Sequence, residues 1–258
     1  MIICKSASEI EIMKEAGRIV AEVLLKIEDL LEPGTTTAEI DRIAEKEIRA
    51  AGATPAFKGY AGRISSRSFP SSLCISINEE VVHGIPSKEK ILLDGDIVSL
   101  DIGMQYPAKD GMYTDMAKTI GVGKIRDEAK RLIKTTQKAL ENGIKECRGG
   151  NLLSQVSAAI QQTADKEQLA VVRTLVGHGV GQEVHEDPQI PNFVTGEADI
   201  VLKPGMTLAL EPMINIGDYQ VKLLDDGWTF ITEDEKLSAH FEHTVLVTDG
   251  EPEVLTRL

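Results

Sequence analysis

From Ser8 to Leu31, apolar residues recur at three- and four-residue steps, with Met13, Ala16, Val20, Val23, Ile27 and Leu30 forming one stripe. This is the period of an amphipathic helix, and Ser6 with Glu9 supplies a capping box at its start. The segment "EPGTTT" breaks the pattern at Pro33 and Gly34. Thr36 with Glu39 then offers a second box, for a helix running to about Ala51. A Gly-, Ser- and Pro-containing stretch from Gly52 to Ser72 leads into the β-type runs "LCISI", "DIVSLDIGM" and "MAKTIGV".

The same order then returns. A helix pattern runs from about Asp127 to Cys147, "RGG" interrupts it, and a second runs from about Leu152 to Lys166; the β-type runs "AVVRTLV", "MTLALEPMI" and "HFEHTVLVT" follow. Single residues repeat as well. "LLDGDIVSLD" lies over "VLKPGMTLALE", setting Gly95 opposite Gly205 and Asp101 opposite Glu211, and "YTDMAKTIGVG" lies over "HFEHTVLVTDG", setting Asp115 opposite Glu242. Internal repeats fix architecture. The pattern predicts an α+β fold in one catalytic domain, residues 1–258, whose pseudo-symmetric helix-helix-strand halves (about 1–125 and 126–258) share one core. An acidic site is expected near the pseudo-twofold axis.

The acids stand where a core is expected. Asp101 and Glu211 lie in runs of Val, Ile and Leu, with no Lys or Arg within three residues. A buried carboxylate without a partner costs several kcal/mol, so it stays protonated, meets a cation or faces a wet cleft. An acid at the surface end of a strand is the commoner case for any single residue, but four acids at two repeated positions favour a metal. Carboxylates suit hard to borderline divalent ions such as Mn²⁺, Fe²⁺, Co²⁺ or Zn²⁺. Two ions roughly 3.5 to 4 Å apart would use all four.

The stretch "LVGHGVGQEVHEDPQIPN" carries His178 and His185, seven residues apart among glycines. That spacing does not fit one helix face, and on an extended strand it puts the two side chains on opposite faces unless a bulge intervenes, so different roles are expected. His178 is the natural fifth ligand, because Gly177 and Gly179 let its backbone approach closely.

Composition narrows the class. With 42% apolar and 27% charged residues, the chain reads as an ordinary soluble globular protein. A net charge of -13 without a basic stripe excludes nucleic acid as a direct partner. Cys4, Cys74 and Cys147 are unpaired in spacing, which places reduced thiols in a cytoplasmic protein. No signal-peptide pattern and no apolar run of ~18 to 20 residues is present, so neither export nor a membrane is expected. Nothing suggests a self-complementary apolar face, and a monomer is expected.

Taken together, "SLDIG", "YTDMAKT", "GHGVG", "EPM" and "FEHT" stand in the order and at the spacings of the type I methionine aminopeptidases, and the chain resembles that family over essentially its whole length. The resemblance implies the pita-bread fold around a central antiparallel sheet. It implies removal of N-terminal methionine from peptides and nascent proteins with a small second residue, using two divalent ions. Asp115 and Glu242 would bridge both ions, with Asp101 on one and His178 and Glu211 on the other. Glu211 would also carry the proton from water to the leaving amine. His83 in "NEEVVHGIP" and His185 in "VHEDPQIPN" stand where the family contacts substrate and stabilises the tetrahedral intermediate.

For the methionine side chain, the resemblance implies an apolar slot of Tyr60, Phe69, Cys74 and Trp228, the only tryptophan. The "AGRISSRS" stretch between Tyr60 and Phe69 is longer than the link expected in the commonest bacterial members, and Val184 replaces a bulky aromatic of many relatives. His240 and His243 are expected to be structural or to orient the ligands beside them. Cotranslational trimming follows from the resemblance and puts the ribosome among the partners, although the acidic composition offers no patch for its RNA. The rivals depart from this chain. Aminopeptidase P and prolidase carry an extra amino-terminal domain, type II enzymes carry a helical insertion after the Glu211 position, and metal-free members of the fold replace ligands.

Overall fold

The structure, a computed structural model, describes residues 2–62, 67–196 and 199–258. The lengthened "AGRISSRS" link falls partly on residues 63–66, outside the described residues. The four expected helices form: α1 (Ala7–Glu28), α2 (Thr37–Ala50), α3 (Asp127–Lys145) and α4 (Leu153–Lys166). At α1, α2 and α4 free N–H groups of the first turn are met by side chains, whereas α3 has no side-chain cap. The Ser6 N–H donates to Glu9 Oε2 at 2.7 Å and the Glu9 N–H returns to Ser6 Oγ at 3.4 Å, while Thr36 Oγ1 accepts from the Glu39 N–H at 3.3 Å. At α4, Gln155 accepts from the Leu152 N–H at 2.7 Å and Asp199 from the Ser154 N–H at 3.1 Å.

The helices back an antiparallel sheet. Among the described residues its order runs Thr54–Pro55, Ile97–Tyr106, Met112–Gly121, Glu242–Leu246, Thr207–Leu210, Gly177–Gly179 and Glu186–Ile190. Leu73–Ile77 also pairs with Ile97–Tyr106, and Glu253–Val254 with Glu242–Leu246. The halves join where Glu242 pairs with Ala117 and His243 with Met116. The sheet is shared, but the apolar packing is divided. Val20, Leu24, Ile40 and Ile48 pack with Ile75, Leu100 and Ile102 in the first half; Leu132, Leu140, Val156 and Ile160 pack with Leu208, Leu210 and Val245 in the second. Each helix pair covers mainly its own strands, so the single core expected from the repeat is divided, with a smaller cluster of Met13, Met112, Val180, Ala209, Leu246 and Leu255 drawing on both halves.

Backbone hydrogen bonds repeat between the halves. Gly34 N–H donates to Leu92 O as Gly150 N–H does to Leu202 O, and Gly95 N–H donates to Val122 O as Gly205 N–H does to Val247 O. Strand register agrees: Leu100 faces Lys118 as Leu210 faces His243, and Gly103 faces Asp115 as Met213 faces His240. Asp101 therefore matches Glu211, as the sequence overlay has it. Asp115, however, matches His240 rather than Glu242, whose counterpart is Ala117. The overlay is two residues out of step, and a slip of two keeps the same strand face, which is why the acid pattern survived it.

Two β-type runs are each cut in two. "MTLALEPMI" leaves the large sheet after Leu210 and joins a three-stranded one at Met213–Asn215, and "HFEHTVLVT" changes sheets between Ser238–His240 and Glu242–Leu246. Pro212 has no N–H to give a ladder, and its carbonyl accepts from the Phe241 N–H at 3.3 Å. "AVVRTLV" contributes Ala170–Val171 to the small sheet, and its chain enters the large one only at Gly177. Glu211 and Glu242 thus sit at a corner between sheets.

Candidate metal centre

The five expected ligands converge at the join between halves. Oxygens of Asp115 and Glu242 and a nitrogen of His178 lie within 4.8 Å of one another. His178 Nε2 is 3.6 Å from Asp115 Oδ2 and 3.5 Å from Glu211 Oε1. The Asp101 carboxyl feels the charge of Asp115, and Glu211 and Glu242 feel that of Asp101. Close backbone approach brings His178 here: a Cβ on Gly177 would lie 2.4 Å from Ala209 O, and one on Gly179 2.3 Å from Asp187 O.

Burial dominates the electrostatics. It pushes the Asp101, Glu211 and Glu242 carboxyls well above the usual range, and neighbouring carboxylates add to the shift. Asp115 is raised to about 6 by burial, against the pull of His185 and the Thr244 hydroxyl. Burial lowers His178 to about 4. Among the described residues, no lysine or arginine forms an ion pair with these four acids; their basic contacts are His178 and His240.

The donor set fits a cation. His178 Nδ1 lies 2.9 Å from Gly179 O, and a carbonyl only accepts, so Nδ1 carries the ring proton. The neutral ring then turns its Nε2 lone pair toward carboxylate oxygens, an acceptor facing acceptors, which a positive ion between them resolves. Asp101 Oδ1 is buried without a hydrogen-bond partner, a second acceptor that a cation would satisfy.

His185 lies exposed at the rim, its ring 4.4 Å from that of His178 and 5.0 Å from that of Tyr60. His178 and His185 do not share one extended strand: the register is irregular between Gly177 and Gly179, and the chain reverses between Gly179 and Glu186, which pair, so the exception for a bulge applies. His83 has left-handed backbone, φ 58°, a conformation sparsely populated by residues other than glycine and common at functional positions. Its Nδ1 is buried and unpartnered, and burial holds its pKa to about 4. His243 Nδ1 meets Thr256 Oγ1 at 2.9 Å, away from the carboxylates.

Cys74, Phe69 and Trp228 are buried together, with Phe57, Tyr60 and Ile85 packed around them. The Phe69 and Trp228 rings meet edge to face at 5.3 Å. Cys74 sits opposite Asp101 in register, so this apolar cluster abuts the carboxylates. Sequence reasoning missed Phe57 and Ile85. Ile85 follows His83 by two residues and could have been suspected; Phe57 is placed only by its ring lying where a Cβ on Gly103 would be, 2.9 Å away.

"Metallopeptidase family M24" matches residues 11–249. The chain belongs to metallopeptidase family M24. Curated M24-like relatives agree along the whole chain. It is 48% identical over 256 residues to a methionine aminopeptidase of Clostridium perfringens, covering 99% of each chain, and 48% identical over 258 residues to methionine aminopeptidase 1 of Bacillus subtilis, covering 100% of each. A crystal structure of a Thermotoga maritima methionine aminopeptidase superposes with a TM-score of 0.93 at 44% identity, covering 100% of both chains. The fold is the pita-bread fold of the M24 family, and membership makes the protein a metal-dependent peptide hydrolase. No helix among the described residues is long and apolar enough to cross a membrane.

Proposed function

We propose that this protein is a methionine aminopeptidase, removing N-terminal methionine from peptides and nascent proteins that carry a small second residue. The observation that carries the reading is the register pairing of Cys74 with Asp101, which sets an apolar slot against a buried cluster of acids and imidazole. Asp101, Asp115, His178, Glu211 and Glu242 would hold two divalent ions, of cobalt, manganese, iron or zinc. When bound, the ions would supply Lewis acidity and lower the pKa of water, making a hydroxide nucleophile available near neutral pH.

The chain's own groups do the rest. The slot of Phe69, Cys74, Trp228 and Tyr60 takes the methionine side chain and fixes which carbonyl faces the acids. Glu211 accepts a proton from the attacking water and returns it to the leaving amine, acting as base and then acid. His185 at the rim, with His83 deeper, donates hydrogen bonds to the oxygen that becomes negative as the carbonyl turns tetrahedral. Residues 1–258 act as one catalytic domain, working as a monomer in the cytoplasm on chains emerging from the ribosome.

The deciding experiment compares Met-Ala-Ser with a Xaa-Pro peptide, with added Mn²⁺ or Co²⁺ and with chelator. Methionine release that chelation abolishes is expected. Cleavage of the proline peptide with Met-Ala-Ser left intact overturns the reading in favour of a prolidase-type activity.

A further inference from the structure

The pseudo-symmetry singles out His240. Its N–H donates to Thr119 Oγ1 at 2.8 Å and its carbonyl accepts from the same hydroxyl at 2.8 Å. Thr244 makes the matching bonds to Asp115, accepting from its N–H at 3.1 Å and reaching its carbonyl at 2.9 Å. Each half thus uses one threonine to grip a residue of the other half. His240 holds, in the second half, the place that Asp115 holds in the first.

The side chain has no role in packing polar groups together. His240 is 1% exposed, and neither ring nitrogen has a hydrogen-bond partner. Buried polar groups are nearly always paired, so an imidazole with two open nitrogens points to a missing neighbour. A carboxylate lies beside it: His240 Nε2 is 3.6 Å from Glu211 Oε2, while Glu211 Oε1 is 3.5 Å from His178 Nε2. One carboxylate is flanked by two imidazoles, one at each oxygen. Only His178 has its other nitrogen engaged, by the Gly179 carbonyl.

We propose that His240 is a positioning residue for Glu211, its Nε2–H donating to Oε2 and so fixing which oxygen faces His178 and the reacting water. The present gap exceeds the N–H···O range of about 2.7 to 3.2 Å, so an adjustment of about half an ångström completes the bond. Groups that hydrogen-bond a metal-ligating carboxylate fix its orientation and tune its basicity. The inference rests on the reading of Glu211 as a metal-site residue and proton carrier.

The test compares His240→Leu, which removes the donor but keeps bulk, with His240→Gln, which keeps an N–H. Mn²⁺ binding to the metal-free proteins is measured by calorimetry, and kcat and KM on Met-Ala-Ser by methionine release. The leucine variant should lose about 10- to 100-fold in Mn²⁺ affinity or kcat, with KM little changed, and the glutamine variant should recover most of the loss. Wild-type Mn²⁺ affinity and kcat in a folded leucine variant overturn the proposal; so does equal loss in both variants, which would make shape the cause. Should the leucine variant fail to fold, His240→Asn, whose shorter amide falls short of Glu211, is compared with glutamine by the same criteria. If loaded wild-type protein leaves Met-Ala-Ser intact, the proposed function fails, and Mn²⁺ affinity alone decides His240.

Discussion

Thr244 holds Asp115 from the opposite half of the chain. Its hydroxyl accepts from the Asp115 N–H at 3.1 Å and lies 3.0 Å from Asp115 Oδ1. Thr244→Val keeps the shape and removes these bonds, leaving a buried N–H without a partner at a cost of about 1 to 3 kcal/mol. The expected result is a loss of that size in urea unfolding of the metal-free protein, together with weaker Mn²⁺ binding by calorimetry. Unchanged Mn²⁺ affinity would show that Asp115 does not depend on this anchor.

Glu211→Gln retains size and one acceptor oxygen but cannot take up a proton. Turnover of Met-Ala-Ser should fall by at least about 100-fold, the contribution of a positioned acid-base group. Binding of the uncleaved peptide should persist. Near-normal turnover would remove Glu211 from its role.

The metal-free protein should lose stability as pH rises above about 6.5. Burial raises the folded pKa values of Asp101, Glu211 and Glu242 well above their unfolded values. For such acids, stability is complete below the unfolded pKa and is lost as pH climbs through the folded one. His83 and His178, lowered to about 4 by burial, act oppositely: their contribution is complete above the unfolded histidine value near 6.5 and falls away only as pH drops below it. Above that value the histidines add no further pH dependence, and the raised carboxyls, with the buried Cys74 and Cys147 thiols toward the alkaline end, set its direction. Melting temperatures in chelator should therefore decline from pH 6.5 to 8.5, and saturating Mn²⁺ should remove the decline.

Asp41 links α2 to the strand that carries Cys74, accepting from the N–H groups of Ser72 at 2.8 Å and Leu73 at 2.9 Å. Burial raises its pKa while these two donors pull it down. Asp41→Ala orphans both donors and should cost about 1 to 3 kcal/mol for each one that water cannot reach, measured by urea unfolding. Asp41→Asn keeps an acceptor oxygen and should recover most of the loss.

Trp228, the chain's only tryptophan, would report on the proposed slot, since it packs with Phe69 and Cys74. Free methionine should shift its fluorescence in the wild type. Trp228→Ala should lower kcat/KM on Met-Ala-Ser by about 10- to 200-fold, the usual weight of an apolar pocket contact. Retained selectivity would place the methionine side chain elsewhere.

Helix positions were legible because they rest on local signals: the stripe from Met13 to Leu30 and the Ser6–Glu9 box lie within α1 and its cap. The acids stood out because carboxylates inside Val- and Leu-rich runs conflict with burial. What sequence could not supply was register. A two-residue slip leaves every side chain on its face, so the overlay of Asp115 on Glu242 looked sound, while the sheet change at Pro212 and Phe241 puts His240 in that place. The hairpin that brings His185 onto His178 depends on pairing between Gly179 and Glu186, which spacing alone does not encode. Phe57 was invisible for the same reason: its partner Gly103 is distant in the chain.

The proposed donors at positions 101, 115, 178, 211 and 242 come from both sides of a seam where Glu242 pairs with Ala117, His243 pairs with Met116, and Thr119 and Thr244 each bond across to the other half. Asp101 and Asp115 come from one side and His178, Glu211 and Glu242 from the other, so neither side alone would assemble the full proposed donor set, and the capacity to hold two ions would arise only once the two sides have closed.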